Sequence, residues 1–257
     1  MALRTGYTPA FQHSFKGFGG RGDEGGAECR RDSRNDGANV RTTSGRAPGF
    51  VQANVVILPK AYAFDFVTFC LRNPKFCPLL AVTDPGQTDV GALAAGSNIR
   101  TDIPMYRLYR DGEADPGGDV DRITDDVWSD DLVTCLLGCS FSWEDVLADA
   151  GLVPRQIEEQ KNVPMYRTNI SSNAAGPFGG PLVVSMRPYR PEQLEDVYRI
   201  TDKYPGAHGS PIHWGDPAEI GIDGEQLANP PWGEGVTIRD GEVPVFWACG
   251  VSSQVCE

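Results

Sequence analysis

Hydrophobic positions first gather at helical spacing over residues 59–72, where Phe64, Val67, Cys70 and Leu71 recur on one side and Pro59 suits a first turn, predicting a helix. The short apolar run at 78–83, bounded by proline and by Asp84-Pro85-Gly86, predicts a buried strand. Residues 105–110 alternate and lead into Asp111-Gly112, a turn signal. The stretches 130–137 and 141–150 read as helices, the second capped by Ser140 or Ser142 and closed by Gly151. Apolar runs at 181–186 and 243–249 predict central strands. Between them, 191–204 opens with proline and sets Leu194, Val197, Tyr198 and Ile200 on one helical face. Short strands separated by helices predict an α/β fold: a mainly parallel or mixed sheet with flanking helices.

Composition divides the 257 residues in two. Gly and Arg dominate residues 1–46, with no apolar periodicity beyond Phe18, which predicts a disordered tail ahead of a folded domain over 47–257. An RNA-binding tail and a mitochondrial presequence are the alternatives, and five acidic residues count against the presequence. Eight of the 23 basic and five of the 35 acidic residues lie in this tail, so the remainder holds 15 basic and 30 acidic residues. A domain so acidic repels a phosphate backbone, which argues against a nucleic-acid partner. No apolar stretch reaches the ~20 residues of a membrane span, and the start lacks a signal-peptide core, so the expected location is the cytoplasm. The seven cysteines form no CxxC pair, which argues against a zinc finger and a secreted disulfide framework.

Candidate chemistry clusters in a few places. The pentapeptide at 103–107 (IPMYR) is echoed at 163–167 (VPMYR), either a duplication that brings two Tyr-Arg pairs to one cleft or a chance match. Over 162–170, alternation puts Tyr166, Thr168 and Ile170 on one face and Arg167 and Asn169 on the other. The latter pair suits a carboxylate grip or, equally, a solvated edge. Arg187 ends an apolar strand, and Arg100 stands beside Asp102 as a further grip or a structural ion pair. His208 and His213 share a Gly/Pro/Trp-rich loop with Asp216, open to acid–base work, metal ligation or structural hydrogen bonding. Gly138-Cys139-Ser140 runs into a helix start that would favour an anion, and Cys139 and Cys249 are nucleophile candidates or inert buried thiols. GxxxxGK[ST], GxSxG and HExxH are absent.

Seven stretches in order, NPKFCPLLAVTDPG (73–86), NIRTDIPMYRLYRDG (98–112), DDLVTCLLGCSFSWEDVLADAG (130–151), NVPMYRTNI (162–170), GPLVVSMRP (180–188), HGSPIHWGDP (208–217) and EVPVFWACGV (242–251), resemble the hydro-lyase family that includes a module of D-glutamate cyclase. The resemblance implies an α/β fold with a smaller α+β portion and elimination of water from a small carboxylate or amino acid. In the cyclase version, glutamate's amine attacks its own γ-carboxyl group to give 5-oxoproline. It implies no cofactor, and no residue is assigned to a metal. By residue, it points to Arg167 and Asn169 for the carboxylate, with Tyr166 beside them and Arg100 or Arg187 assisting. It points to His208 or His213 for protons and to the Cys139 and Ser140 amides for the oxyanion. Members are expected to continue past the final GV motif, so the reading includes a domain truncated at its C-terminus. The competing function is an inactive carboxylate-binding or regulatory protein on the same fold, and a homo-oligomer is left open.

Overall fold

The computed structural model describes residues 13–16, 42–103 and 105–255. A first sheet is built from β1 (His13–Lys16), β2 (Phe50–Pro59), β3 (Leu79–Val82) and β6 (Leu132–Gly138), in the order β1-β2-β6-β3. Between β3 and β6 an inserted hairpin, β4 (Tyr106–Arg110) and β5 (Glu113–Val120), turns at Asp111 and Gly112. Their φ of 52° and 87° are the left-handed pair that a two-residue hairpin requires. A second sheet holds β7 (Met165–Ser171), β8 (Pro181–Tyr189), β9 (His213–Trp214) and β10 (Val243–Ala248), in the order β7-β8-β10-β9. The helices are α1 (Lys60–Arg72), α2 (Glu144–Asp149), α3 (Arg155–Glu158), α4 (Leu194–Thr201) and α5 (Gly224–Ala228).

Sheets with flanking helices are the class expected, but the direction of pairing differs. Every ladder between these strands is antiparallel. The helix expected over 130–137 is instead the central strand β6. All seven of its residues are buried, because α1 covers one face and the inserted hairpin the other. A strand buried on both faces shows an unbroken apolar run, which periodicity cannot tell from a helix. Helix α1 forms where expected but buries Phe66, Phe69 and Cys70, leaving Phe64 and Leu71 exposed. The strand at 79–82 is a half-buried edge rather than a buried core strand. The turn into α2 is capped by the Cys139 thiol, not by Ser140 or Ser142, and Gly151 closes α2 with φ 78° as expected. Residues 42–46 belong to the fold, since Ser44 Oγ donates to Glu144 at 2.5 Å. Apart from β1, residues 1–41 lie outside the described residues, and so do the disorder, RNA-binding and presequence readings that rest on them.

The two sheets repeat one topology. Each runs strand, strand, helix, short strand, then a central strand ending in a 3₁₀ turn, and each has the strand order first-second-last-third. The ladder pairs Ala53 with Gly138 in the first half and Val184 with Ala248 in the second. Cys139 and Cys249 therefore occupy equivalent positions. The Cys139 amide donates to Gln52 O at 2.9 Å, and the Cys249 amide to Val183 O at 3.1 Å. Three residues on, Ser142 Oγ accepts from the Gln52 amide and donates to its carbonyl, while Ser252 does the same at Val183. The pentapeptide echo marks a different pairing. Its Tyr-Arg pairs fall in β4, within the insertion, and in β7, so the two tyrosines sit in separate cores and face no common cleft.

Candidate active site

Chemistry-bearing side chains converge where the halves meet, beyond the ends of β6 and β10. The side of β8 toward α4 carries Ser185, Arg187 and Tyr189, where the first half has Asn54, Val56 and Leu58. Arg187 is thus a cation in a place built for an apolar residue, and it is completely buried. Its Nη2 donates to Glu144 Oε1 at 2.6 Å and Ser140 Oγ at 3.0 Å, and Nη1 donates to Ser185 Oγ at 3.2 Å. The Trp143 and Trp247 rings lie 4.7 Å and 5.5 Å from the guanidinium carbon. Glu144, equally buried, also accepts from Ser44 and from Gln156 Nε2 at 2.6 Å. Burial pushes the Glu144 carboxyl up, opposed chiefly by the Arg187 charge. Such a pair is tolerated inside a protein only because each ion has its partner. Nη2 of Arg187 spends both its N–H groups on Glu144 and Ser140, and Nη1 gives one of its two to Ser185. Its Nε remains buried without a hydrogen-bond partner among the described residues.

His208 sits on the loop after α4 with φ 75°, a left-handed conformation uncommon for a side-chain-bearing residue. Two close approaches hold that loop. Gly138 packs so tightly on Gly206 that an added Cβ would lie 1.7 Å from the Gly206 carbonyl oxygen, and Trp143 Nε1 donates to Ala207 O at 2.8 Å. His208 Nδ1 lies 2.8 Å from the Lys75 carbonyl. A carbonyl only accepts, so Nδ1 carries the proton and Nε2 presents a bare lone pair. That nitrogen is buried with no partner among the described residues. Burial, reinforced by the charges of Arg187 and Lys75, lowers the His208 pKa to about 4 against the Lys75 hydrogen bond, leaving a neutral proton acceptor at pH 7. His213 stands apart. It pairs across the ladder with Phe246, on the face of β10 opposite Trp247, and its Nε2 lies 2.8 Å from Asp216 O.

Cys139 and Cys249 share one buried cluster with Phe141, Val163, Met165, Val183 and Val251. Burial pushes both thiols up, Cys249 to about 11, and the negative charge of an ionised Cys249 would raise Cys139 further. The oxyanion role expected of the Cys139 amide fails, because that N–H is already given to Gln52. Ser140 serves as an acceptor for Arg187.

The three arginines do not form one pocket. Arg100 lies in the insertion, where it donates to Asp125 at 2.5 Å and to Ile123 O and stacks over Trp128. Arg167 is the cross-strand partner of Val183, and so projects from the same face as Arg187, at the exposed edge of the thiol cluster. Its guanidinium lies 5.8 Å over Trp232, and no carboxylate among the described residues pairs with it. Asn169, two residues on, is exposed on that face, whereas Tyr166 is buried on the other with its hydroxyl on Leu227 O at 3.0 Å. The alternation expected over 166–170 is present. Sequence reasoning missed Glu144, Trp143, Trp247 and Lys75. An acid in the first turn of a helix is ordinary, and only the fold sets Glu144 against Arg187. Among the described residues no group of three or more His, Cys, Asp or Glu is placed to hold a metal. No helix among them is long and apolar enough to cross a membrane.

The family model described as D-glutamate cyclase matches residues 133–256, which span Cys139, Glu144, Arg167, Arg187, His208 and Cys249. A protein of Mycolicibacterium gilvum named "Putative hydro-lyase" is 54% identical over 230 residues, covering 89% of this chain and 84% of the relative. Relatives of the same description from Corynebacterium urealyticum and Bordetella pertussis are 52% and 51% identical, over 85% and 89% of this chain and 81% and 80% of their own lengths. The chain belongs to this hydro-lyase family, whose model carries the description D-glutamate cyclase.

Proposed function

We propose that the protein is a carbon–oxygen lyase that removes water from a small carboxylate, with D-glutamate cyclised to 5-oxoproline as the specific reaction. The carrying observation is His208 Nε2, a bare and unpartnered acceptor held neutral inside a polar centre. Arg167, backed by the Trp232 ring and flanked by Asn169, binds the α-carboxylate at the exposed edge of the thiol cluster. His208 Nε2 accepts one ammonium proton, the freed amine attacks the γ-carboxylate carbon, the extra N–H proton of the adduct passes to one of its two oxygens to make a hydroxyl, and the adduct collapses as that hydroxyl leaves. The proton on His208 returns to that hydroxyl, so one glutamate gives one 5-oxoproline and one water. Arg187, locked between Glu144 and two indoles, positions Ser140 and Ser185 and holds positive potential over the site.

The test is to incubate purified protein with D-glutamate and quantify 5-oxoproline by chromatography. His208→Ala is expected to lower turnover by about 100-fold or more. Arg167→Ala is expected to raise KM far more than it lowers kcat, the signature of lost substrate binding. Parental kinetics in both variants would refute the assignments.

A further inference from the structure

Lys75, in the turn after α1, is a residue of the first half that grips the loop carrying His208 at two points. Its carbonyl accepts from His208 Nδ1 at 2.8 Å, and its Nζ donates to Ser210 Oγ at 3.1 Å. His208 and Ser210 are both almost wholly buried. The turn itself is held on either side of Lys75. The Asn73 carbonyl accepts from the amides of Phe76 and Cys77 at 3.1 Å and 2.9 Å, and Asn73 Nδ2 donates to Phe69 O in α1 and to Asn173 O in the second half. Phe76 packs against the cores of both halves, and Cys77 is completely buried. No carboxylate among the described residues pairs with the Lys75 ammonium. We propose that Lys75 is a positioning residue for the reaction: its carbonyl aims the His208 ring, and its ammonium fastens the loop and places an unmatched positive charge near it. The inference rests on the reading that His208 is the proton acceptor.

A ring bound at Nδ1 to a fixed carbonyl keeps the tautomer whose Nε2 is open. The Ser210 anchor, two residues on, stops the loop from turning that ring away. The charges that act on the ring are Lys75 from this turn and Arg187 from β8, the latter matched by Glu144 of α2. An unmatched ammonium has little effect on a neutral imidazole and repels an imidazolium. Each turnover passes through that imidazolium, since His208 takes one proton from the substrate ammonium and returns it to the departing hydroxyl. Repulsion from Lys75 favours the return, so the ring is neutral again when the next substrate arrives. Lys75 forms no covalent bond and keeps its own protons throughout.

The experiment uses the full chain. It follows the His208 ring protons by NMR from about pH 7 down to about 4, assigned through His208→Gln, beside 5-oxoproline formation from D-glutamate. Lys75→Met keeps the carbonyl and removes the ammonium. It is expected to raise the pH at which His208 titrates by about one unit, and to lower kcat by about 10-fold with KM nearly unchanged. Lys75→Arg restores a cation and a donor for Ser210, and is expected to bring both readings most of the way back to the parent. Ser210→Ala keeps the charge but frees it, and is expected to move the titration the same way by less, which tests the proposal if Lys75→Met melts early. Identical His208 titration in the parent and in the variants that fold overturns the proposal. So does a shift that Lys75→Arg fails to restore, the mark of loosened packing alone, and so does a restored shift with kcat unchanged in an active enzyme. The ring titration is read without substrate, so the two readings fail separately. A parent that makes no 5-oxoproline refutes cyclisation, while the titration still sustains or overturns the hold of Lys75 on His208.

Discussion

A buried, uncharged histidine ties stability to acid. His208 has a folded pKa of about 4 against an ordinary 6.5, so protonation favours the unfolded chain. Its contribution is intact above about pH 6.5 and is lost as the pH falls toward 4, on the order of 3 kcal/mol in all. Other carboxylates also titrate in this window, so the informative quantity is the difference between parent and variant. His208→Gln keeps an N–H for the Lys75 carbonyl and removes the titration. Urea unfolding at about pH 7, 5.5 and 4.5 is expected to show a shallower decline for the variant, and equal slopes would contradict a buried neutral imidazole. The same residue shows how far side-chain chemistry can be read in advance. A histidine in a Gly/Pro loop is visible as a candidate, but the choice of His208 over His213 depends on which face of the second sheet each one meets. For the arginines, chain position does not reveal that Arg187 is spoken for by Glu144 and that Arg167 is not.

Elements were legible where one face meets water and obscure where both are buried. The hairpin at Asp111-Gly112, helix α4 with Val197 and Ile200 inward, and the alternation of β7 follow from period and turn chemistry. In β6 the residues LVTCLLG carry no alternation, because two covering layers make every position apolar, and in α1 phenylalanines on both sides obscure the buried face. The repeat is hidden for a related reason. Each half packs against different neighbours, so LLGCSFS and FWACGVS keep in common only the cysteine and the serine that the shared turn requires. Those serines predict matched behaviour. Ser142→Ala and Ser252→Ala each strand the backbone amide of the adjacent strand, at Gln52 or Val183, and each is expected to destabilise by about 1–2 kcal/mol. Denaturant midpoints of the two variants check this, and a neutral substitution at either site would break the equivalence.

On the scale of the whole molecule, the site depends on how closely the halves approach, and glycines set that distance from both sides. Gly138 ends the central strand of the first half against Gly206 of the loop that carries His208, while Gly250 in the second half approaches Asn54 of the first. A Cβ at 138 would meet backbone, the Gly206 oxygen at 1.7 Å and its carbonyl carbon at 2.8 Å, and the loop must move to make room. A Cβ at 250 would meet the Asn54 side-chain amide at 2.1 Å, an obstacle that bond rotation can clear. Gly138→Ala is therefore expected to cost about 3 kcal/mol or more, and Gly250→Ala only about 1–2 kcal/mol. The backbone shift also has a functional consequence that the side-chain shift lacks. Displacing residues 206–208 breaks the register between His208 Nδ1 and the Lys75 carbonyl that leaves Nε2 bare. Gly138→Ala is accordingly expected to lose 5-oxoproline formation even well below its melting temperature, whereas activity in Gly250→Ala tracks its folded fraction. Thermal melts run beside turnover assays separate the two effects. A Gly138→Ala protein that is folded and fully active would show that the contact between the halves does not set the geometry of the site.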